Sequence, residues 1–209
     1  MSHSHIIAIS GASGSGKSLF TATLQQELKE SGADVLVLCE DHYYRDQSNM
    51  PMDEREKTNY DHPDAFEHSL LAKHLHELKK GNAIEYPNYC YKTHTRLSET
   101  TRISGKPVII VEGIMLLASE QLLPLFDLTV FMDTELDICL LRRIQRDIIS
   151  RGRTIESVAE QYKKTVKPMY HQFIQPCRHK ANIVVTQGGK NRPALDVIKA
   201  HIHQALKQQ

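Results

Sequence analysis

One eight-residue stretch constrains this chain more than any other feature. Gly11-Ala12-Ser13-Gly14-Ser15-Gly16-Lys17-Ser18 fits the pattern GxxxxGK[ST]. Its surroundings count as much as its letters. Ile6 to Ser10 is a short, β-branched apolar run that reads as a buried strand. From Lys17 to Lys29, Leu19, Phe20, Leu24 and Leu28 recur at helical spacing, and Gly32 closes the helix. A glycine-rich turn between a buried strand and a helix lets successive backbone N–H groups point into one anion-sized nest. The helix N-terminus adds partial positive charge there. Lys17 is then placed to bridge the β- and γ-phosphates of a nucleoside triphosphate, and the Ser18 hydroxyl to ligate Mg²⁺. An empty Gly/Ser-rich turn is the bland alternative, and the strand–turn–helix context argues against it.

The remaining pattern extends the same architecture. Val35 to Cys39, Val108 to Val111, Leu128 to Met132 and Ala181 to Thr186 are further apolar runs without period-two alternation. Helical periodicity covers Glu67 to Lys80, Glu135 to Ser150 and Pro193 to Leu206, and residues 154–174 suggest another helix or two. Strands alternating with helices predict an α/β fold, a P-loop NTPase-type parallel sheet flanked by helices. Residues 84–104 differ: they alternate and carry a polar centre at Lys92 to Arg96, which predicts a hairpin-like β excursion. We read residues 1–209 as one domain, with the 84–104 excursion and a segment at about 150–168 serving as an Arg-rich lid.

Composition removes competing classes. Lys plus Arg number 26 against 25 Asp plus Glu, a formal charge of +1, too balanced for a nucleic-acid binder. The four cysteines at 39, 90, 139 and 177 show no CxxC spacing, which suggests reduced thiols in a cytoplasm. MSHSHIIAIS has no basic n-region and is not read as a signal peptide. The longest apolar stretch, Pro107 to Ala118, is interrupted by Glu112 and too short to span a bilayer. The pairs His74/His76 and His201/His203 are spaced i,i+2 on predicted helices, so they do not face one another as metal ligands.

Three features then choose among NTP-binding functions. No NKxD or DxxG element supports a GTPase. Asp41 directly follows the second strand, where an aspartate sits beside the γ-phosphate and can accept the proton of an attacking hydroxyl; a turn or cap role is the competing reading. Arg142, Arg143, Arg146, Arg151 and Arg153 crowd twelve positions, and guanidinium forks suit a phosphoryl group in flight. The alternative is a solvated helix face on which Asp147 and Glu135 pair with some of these arginines. The Gly hinge in Arg151-Gly152-Arg153 favours a mobile lid.

At this point the chain resembles the bacterial-type uridine kinase (uridine/cytidine kinase) family along nearly its whole length. The motifs are GASGSGKS (11–18), EDHYY (40–44), NYDHPDAF (59–66), PNYCYKTHTR (87–96), VEGI (111–114), RRIQRDIISRGR (142–153) and QYKKTVKP (161–168). The resemblance implies transfer of the γ-phosphate of ATP or GTP to the 5′-hydroxyl of uridine or cytidine. It makes Asp41 the general base and a neighbour of Mg²⁺, and has Glu112 help hold the metal beside Ser18. Asp61 would bind the ribose hydroxyls with Arg143. Tyr44, Tyr89 and His94 would line the base pocket, with Tyr89 and Tyr91 able to stack on a pyrimidine. Arg146, Arg151 and Arg153 would clamp phosphates, Gln161 would add a substrate contact, and Lys190 would lie near the adenine. A homotetramer inhibited by CTP is likewise implied by the resemblance. Two alternatives stay open: a relative with another acceptor, such as phosphoribulokinase or pantothenate kinase, and an NTP-binding regulatory protein with no acceptor.

Overall fold

The computed structural model describes residues 4–207. Part of the N-terminal reading, Met1 to His3, lies outside them. Strand β1 (His5–Gly11) leads through the glycine-rich turn into α1 (Lys17–Glu30), and β2 (Val35–Cys39) follows. A short 3-10 turn, Glu40–Tyr43, and a single helical turn, α2 (Met52–Arg55), precede α3 (His68–Lys79). The excursion is β3 (Ala83–Cys90) and β4 (Thr95–Ser104). Then come β5 (Val108–Gly113), β6 (Leu128–Asp133), α4 (Leu136–Arg151), α5 (Ile155–Gln161), α6 (Lys167–Met169), β7 (Ile183–Thr186) and α7 (Arg192–Lys207).

Five strands form one parallel sheet in the order β2-β5-β1-β6-β7. Its strands are apolar on both faces because both faces are covered. On one face, Phe20, Leu24 and Leu28 of α1 and Leu195, Ile198 and Ile202 of α7 pack on Ile7, Ile9 and Val130. On the other, Leu71, Leu75 and Leu78 of α3 join Ile6, Ala8, Ile109 and Val111. The register pairs Cys39 with Glu112, Ser10 with Gly113 and Gly11 with Met132. The carboxyl ends of β2, β5, β1 and β6 are therefore level, which is where open α/β sheets hold ligands. No helix among the described residues is long and apolar enough to cross a membrane.

The hairpin β3–β4 is antiparallel, with a register shift between Pro87 and Tyr89. Proline has no N–H for the ladder, so a break is expected there. His94 at the tip sits at φ 51, in the left-handed region. Residues 154–174 form α5, α6 and two stretches of wider π-type turn, Tyr162–Val166 and Tyr170–Ile174, flanking Pro168. β7 begins at Ile183 rather than Ala181. The reason is local: the Asn182 side chain accepts from the Thr129 N–H at 2.9 Å and hydroxyl at 2.8 Å, tying the chain down before the strand starts.

The competing reading of α4 as a solvated helix face holds only in part. Asp137, Arg142, Arg146 and Arg151 are exposed, but Arg143 and Asp147 turn inward. The buried side chains of α4 are Cys139, Arg143 and Asp147, spaced i, i+4, i+8 on one stripe, whereas Leu141 is 58% and Ile149 82% exposed. The pairing of Asp147 with arginines is real, but it lies on the inner face.

Candidate active site

The glycine-rich turn is shaped by its neighbours. Gly14 has φ 85, and a Cβ there would lie 2.3 Å from the Cys139 carbonyl oxygen, so both backbone and space demand glycine. Gly16 caps α1 in the left-handed conformation with no side-chain cap, leaving the first-turn N–H groups of the helix open to an anion. Ser15 differs from its loop-mates. It is fully buried, and its N–H donates to the Ala12 carbonyl at 3.0 Å.

Lys17 is buried, and its ammonium donates to the carbonyls of Gly11 at 2.9 Å and Ala12 at 2.8 Å. An ammonium has three N–H donors, so one remains. Burial pushes the Lys17 pKa down, and the carboxylates of Glu112 and Asp41 push back. The Ser18 hydroxyl donates to Glu112 Oε1 at 2.9 Å. Burial raises the Glu112 pKa, Lys17 and Ser18 lower it, and Asp41 and Glu40 raise it further.

A cleft of about 520 Å³ opens over this cluster. Ser13, Gly14, Gly16, Lys17 and Ser18 line it, together with Asp41 and Glu112. Arg142, Arg146 and Lys190 reach it as well, and so do Gln187 and Ile114, to which sequence reasoning gave no role. Among the described residues, no group of three or more His, Cys, Asp or Glu could hold a metal by itself. Two carboxylates and a serine hydroxyl are nevertheless hard oxygen donors, and Mg²⁺ commonly takes one or two carboxylates while keeping waters and substrate phosphates. The donor set and the clustered negative charge fit that ion.

The remaining residues sit beside the cleft in two groups. The first is aromatic. Tyr44 meets Tyr60 edge-on at 5.2 Å and Tyr89 at 5.1 Å, and His94 stacks on Tyr60 at 5.3 Å. Burial lowers the His94 pKa, Glu56 opposes, and Arg151 and Arg153 add to the lowering, which favours the neutral ring. Tyr60 was unassigned at the sequence level, although it adjoins Asp61 within NYDHPDAF. Tyr91 makes contacts that its sequence reading did not include: its hydroxyl donates to Asp41 Oδ2 at 3.0 Å, and the Arg151 guanidinium lies 5.0 Å over its ring.

The second group is ionic. Asp61 is buried 4.0 Å from Arg143, whose guanidinium also donates to Ser13 Oγ at 3.1 Å and Gln161 Oε1 at 3.0 Å. Arg153 donates to the same Gln161 oxygen. Asp61 and Ser13 border a crevice of about 10 Å³, room for about one water. Arg151 and Arg153 turn toward Asp147. Glu40 was also missed. It is fully buried, accepts from the Met115 N–H at 2.9 Å and bonds His68 at 2.8 Å. A Cβ on Gly113 would collide with it at 2.2 Å, so glycine in VEGI makes room for the strut that joins the β2 and β5 ends.

Burial raises the Asp61 pKa, with Arg143 opposing and Asp41 reinforcing the shift. The sign for stability follows. A carboxyl whose folded pKa exceeds its unfolded value costs stability once ionised, and the cost disappears below the unfolded value of about 3.9. Asp61→Asn should therefore raise Tm at pH 7, with the gap over wild type narrowing as pH falls. Thermal melts at pH 7 and pH 5 check this; a lower Tm at pH 7 would contradict it.

Comparison with known proteins places these features. The chain matches the "Phosphoribulokinase / Uridine kinase family" over residues 6–194. It is 55% identical over 204 residues to the uridine kinase of Vibrio atlanticus, covering 97% of this chain and 96% of that protein. It is 54% identical over 207 residues to the uridine kinase of Aliivibrio fischeri, covering 98% and 96%. The solved phosphoribulokinase from Rhodobacter spheroides shares the fold with a TM-score of 0.69 at 19% identity, covering 89% of this chain and 71% of that one. With the parallel sheet, the phosphate-binding loop and the cleft above it, these matches establish that the chain belongs to the phosphoribulokinase / uridine kinase family.

Proposed function

We propose that the chain transfers the γ-phosphate of Mg-ATP or Mg-GTP to the 5′-hydroxyl of uridine or cytidine, giving UMP or CMP. One observation carries this reading: Asp41 lines the same cleft as Lys17 and Ser18 and already accepts a hydrogen bond from a hydroxyl group, that of Tyr91. An acceptor hydroxyl delivered to the same oxygen would face the γ-phosphate held by the loop. Asp41 would take its proton as general base. Ser18, Asp41 and Glu112 would hold Mg²⁺, which when bound neutralises charge on the transferring phosphoryl group. Arg146 and Arg153 would stabilise the same charge, with Arg151 closing from the lid. Asp61, Arg143 and Gln161 would orient the ribose, and Tyr44, Tyr89 and His94 would face the base.

The aromatic group supports a nucleoside acceptor, because Tyr44, Tyr60, Tyr89 and His94 gather four rings whose faces and edges suit a base. The relatives in Vibrio atlanticus and Aliivibrio fischeri, named uridine kinases, support the same acceptor class. Coupled ADP release with Mg-ATP and a panel of uridine, cytidine, thymidine, adenosine, ribulose 5-phosphate and pantothenate tests it. Release dependent on uridine or cytidine is expected; silence with every nucleoside defeats the reading.

Tyr91 adds a sharper expectation. Its hydroxyl competes for Asp41, while its ring could stack on the base. Tyr91→Phe keeps the ring and frees the carboxylate. The kcat/KM for uridine should rise by about two- to tenfold, the range covered by the net worth of one hydrogen bond. A fall in steady-state kcat/KM would make the Tyr91 hydroxyl a productive contact instead.

A further inference from the structure

We propose that Asp147 is a positioning residue that gathers the arginines of α4 and of the start of the lid into one array around its buried carboxylate. The inference rests on the kinase reading above for its catalytic consequence. Asp147 is 0% exposed. Four guanidinium groups surround it: Arg146 at 2.9 Å, Arg143 and Arg151 each at 3.5 Å, and Arg153 at 3.9 Å. Asp147 Oδ2 and Arg143 Nε are both buried without a well-formed hydrogen bond among the described residues. Only Arg146 is firmly bonded through its Nε. The other three contacts are loose.

A carboxylate buried on a helix is costly and persists where its surroundings require it. Here one negative charge reaches all four positive ones, while the second buried carboxylate, Asp61, reaches Arg143 at 4.0 Å. Asp147 holds the guanidinium groups together against their mutual repulsion but cannot neutralise them. The array keeps a net positive charge that a phosphoryl group can meet, and loose contacts leave the guanidinium groups free to turn toward it. Asp147 also acts through its backbone. Its carbonyl accepts the N–H of Gly152 and, at 3.1 Å, that of Arg153. Gly152 takes φ 63, so the chain folds back and Arg153 returns to the acid from beyond the helix end. Gln161 ties Arg143 and Arg153 together from α5. Asp147 thus links the helix arginines to Arg153 beyond the helix end, and does not line the cleft itself.

Asp147→Asn preserves shape and removes the charge. We expect kcat to fall by about ten- to a hundredfold with KM for Mg-ATP within about threefold of wild type, the signature of misplaced transition-state groups. In an Arg153→Met background the same change should cost less than about threefold, because Asp147 acts through the arginines. Limited trypsin digestion read by mass spectrometry should show faster cleavage after Arg151 and Arg153 in Asp147→Asn. Unchanged kcat, or a full multiplicative loss in both backgrounds with unchanged cleavage, overturns the proposal. Should Asp147→Asn not fold, Asp147→Glu keeps the charge and shifts it by one methylene. Lowered kcat at unchanged Tm then supports positioning, and wild-type kcat overturns it. If the wild-type enzyme phosphorylates no nucleoside, the acceptor reading falls alone, and trypsin cleavage still decides whether Asp147 orders the array.

Discussion

Replacing Asp41 with Asn should leave nucleotide affinity close to wild type and lower kcat by about 10²–10⁴-fold, the usual cost of a missing general base. The substitution is nearly isosteric. Asn can still accept the Tyr91 hydrogen bond, so the 3-10 turn Glu40–Tyr43 and the hairpin tip should stay in place. What disappears is basicity, together with one of the two carboxylates that fit Mg²⁺. Binding should suffer little because the triphosphate is held chiefly by the loop, Lys17 and the helix N-terminus. Calorimetric titration with Mg-ADP and steady-state turnover with uridine separate the two effects. Near-wild-type turnover would remove Asp41 from the proton-accepting role. Loss of nucleotide affinity in parallel with kcat would instead make it chiefly a metal ligand.

The phosphate-binding loop was legible from sequence because every determinant is local: three glycines, a lysine and a serine in fixed spacing between a strand and a helix. The hairpin was legible for a similar reason, since period-two alternation survives whatever packs against it. Helix α4 was not. Periodicity reasoning assumes that apolar residues point inward, and α4 buries Arg143 and Asp147 while exposing Leu141 and Ile149. A buried charge is invisible to that rule unless its partners are known, and one of them, Arg153, returns only after the turn at Gly152. Glu40 was missed for a related reason. Its partners His68 and Met115 lie 28 and 75 residues away in the chain. Within EDHYY it stands next to Asp41, and nothing local marks it as a strut between the β2 and β5 ends. For Tyr91, sequence brings a tyrosine to the hairpin tip but does not give the bond its hydroxyl makes with Asp41.

Lys17→Ala should lower kcat/KM for Mg-ATP by at least about 10²–10³-fold, the scale seen when one preorganised donor to a developing charge is removed. The geometry explains why the loss should be large. Lys17 does not swing in from solvent. Two of its three N–H groups already bond the Gly11 and Ala12 carbonyls, so the ammonium is fixed inside the loop before any nucleotide arrives. Little reorganisation remains to be made when phosphate binds, and a fixed charge in a water-poor site acts more strongly than a mobile one. The same bonds mean that alanine removes more than charge. The two carbonyls lose their donor, and the turn that aims the N–H nest loses its internal tie. Both KM and kcat should therefore move, in contrast to Asp41→Asn. Burial already depresses the lysine pKa, so the folded loop bears a cost for this cation that Ala relieves. The Tm of unliganded Lys17→Ala should then drop far less than its activity. Thermal melts with and without Mg-ADP read this directly: ligand stabilisation should largely vanish in the variant, and a full ligand-induced Tm rise would show that the loop cradles phosphate without Lys17.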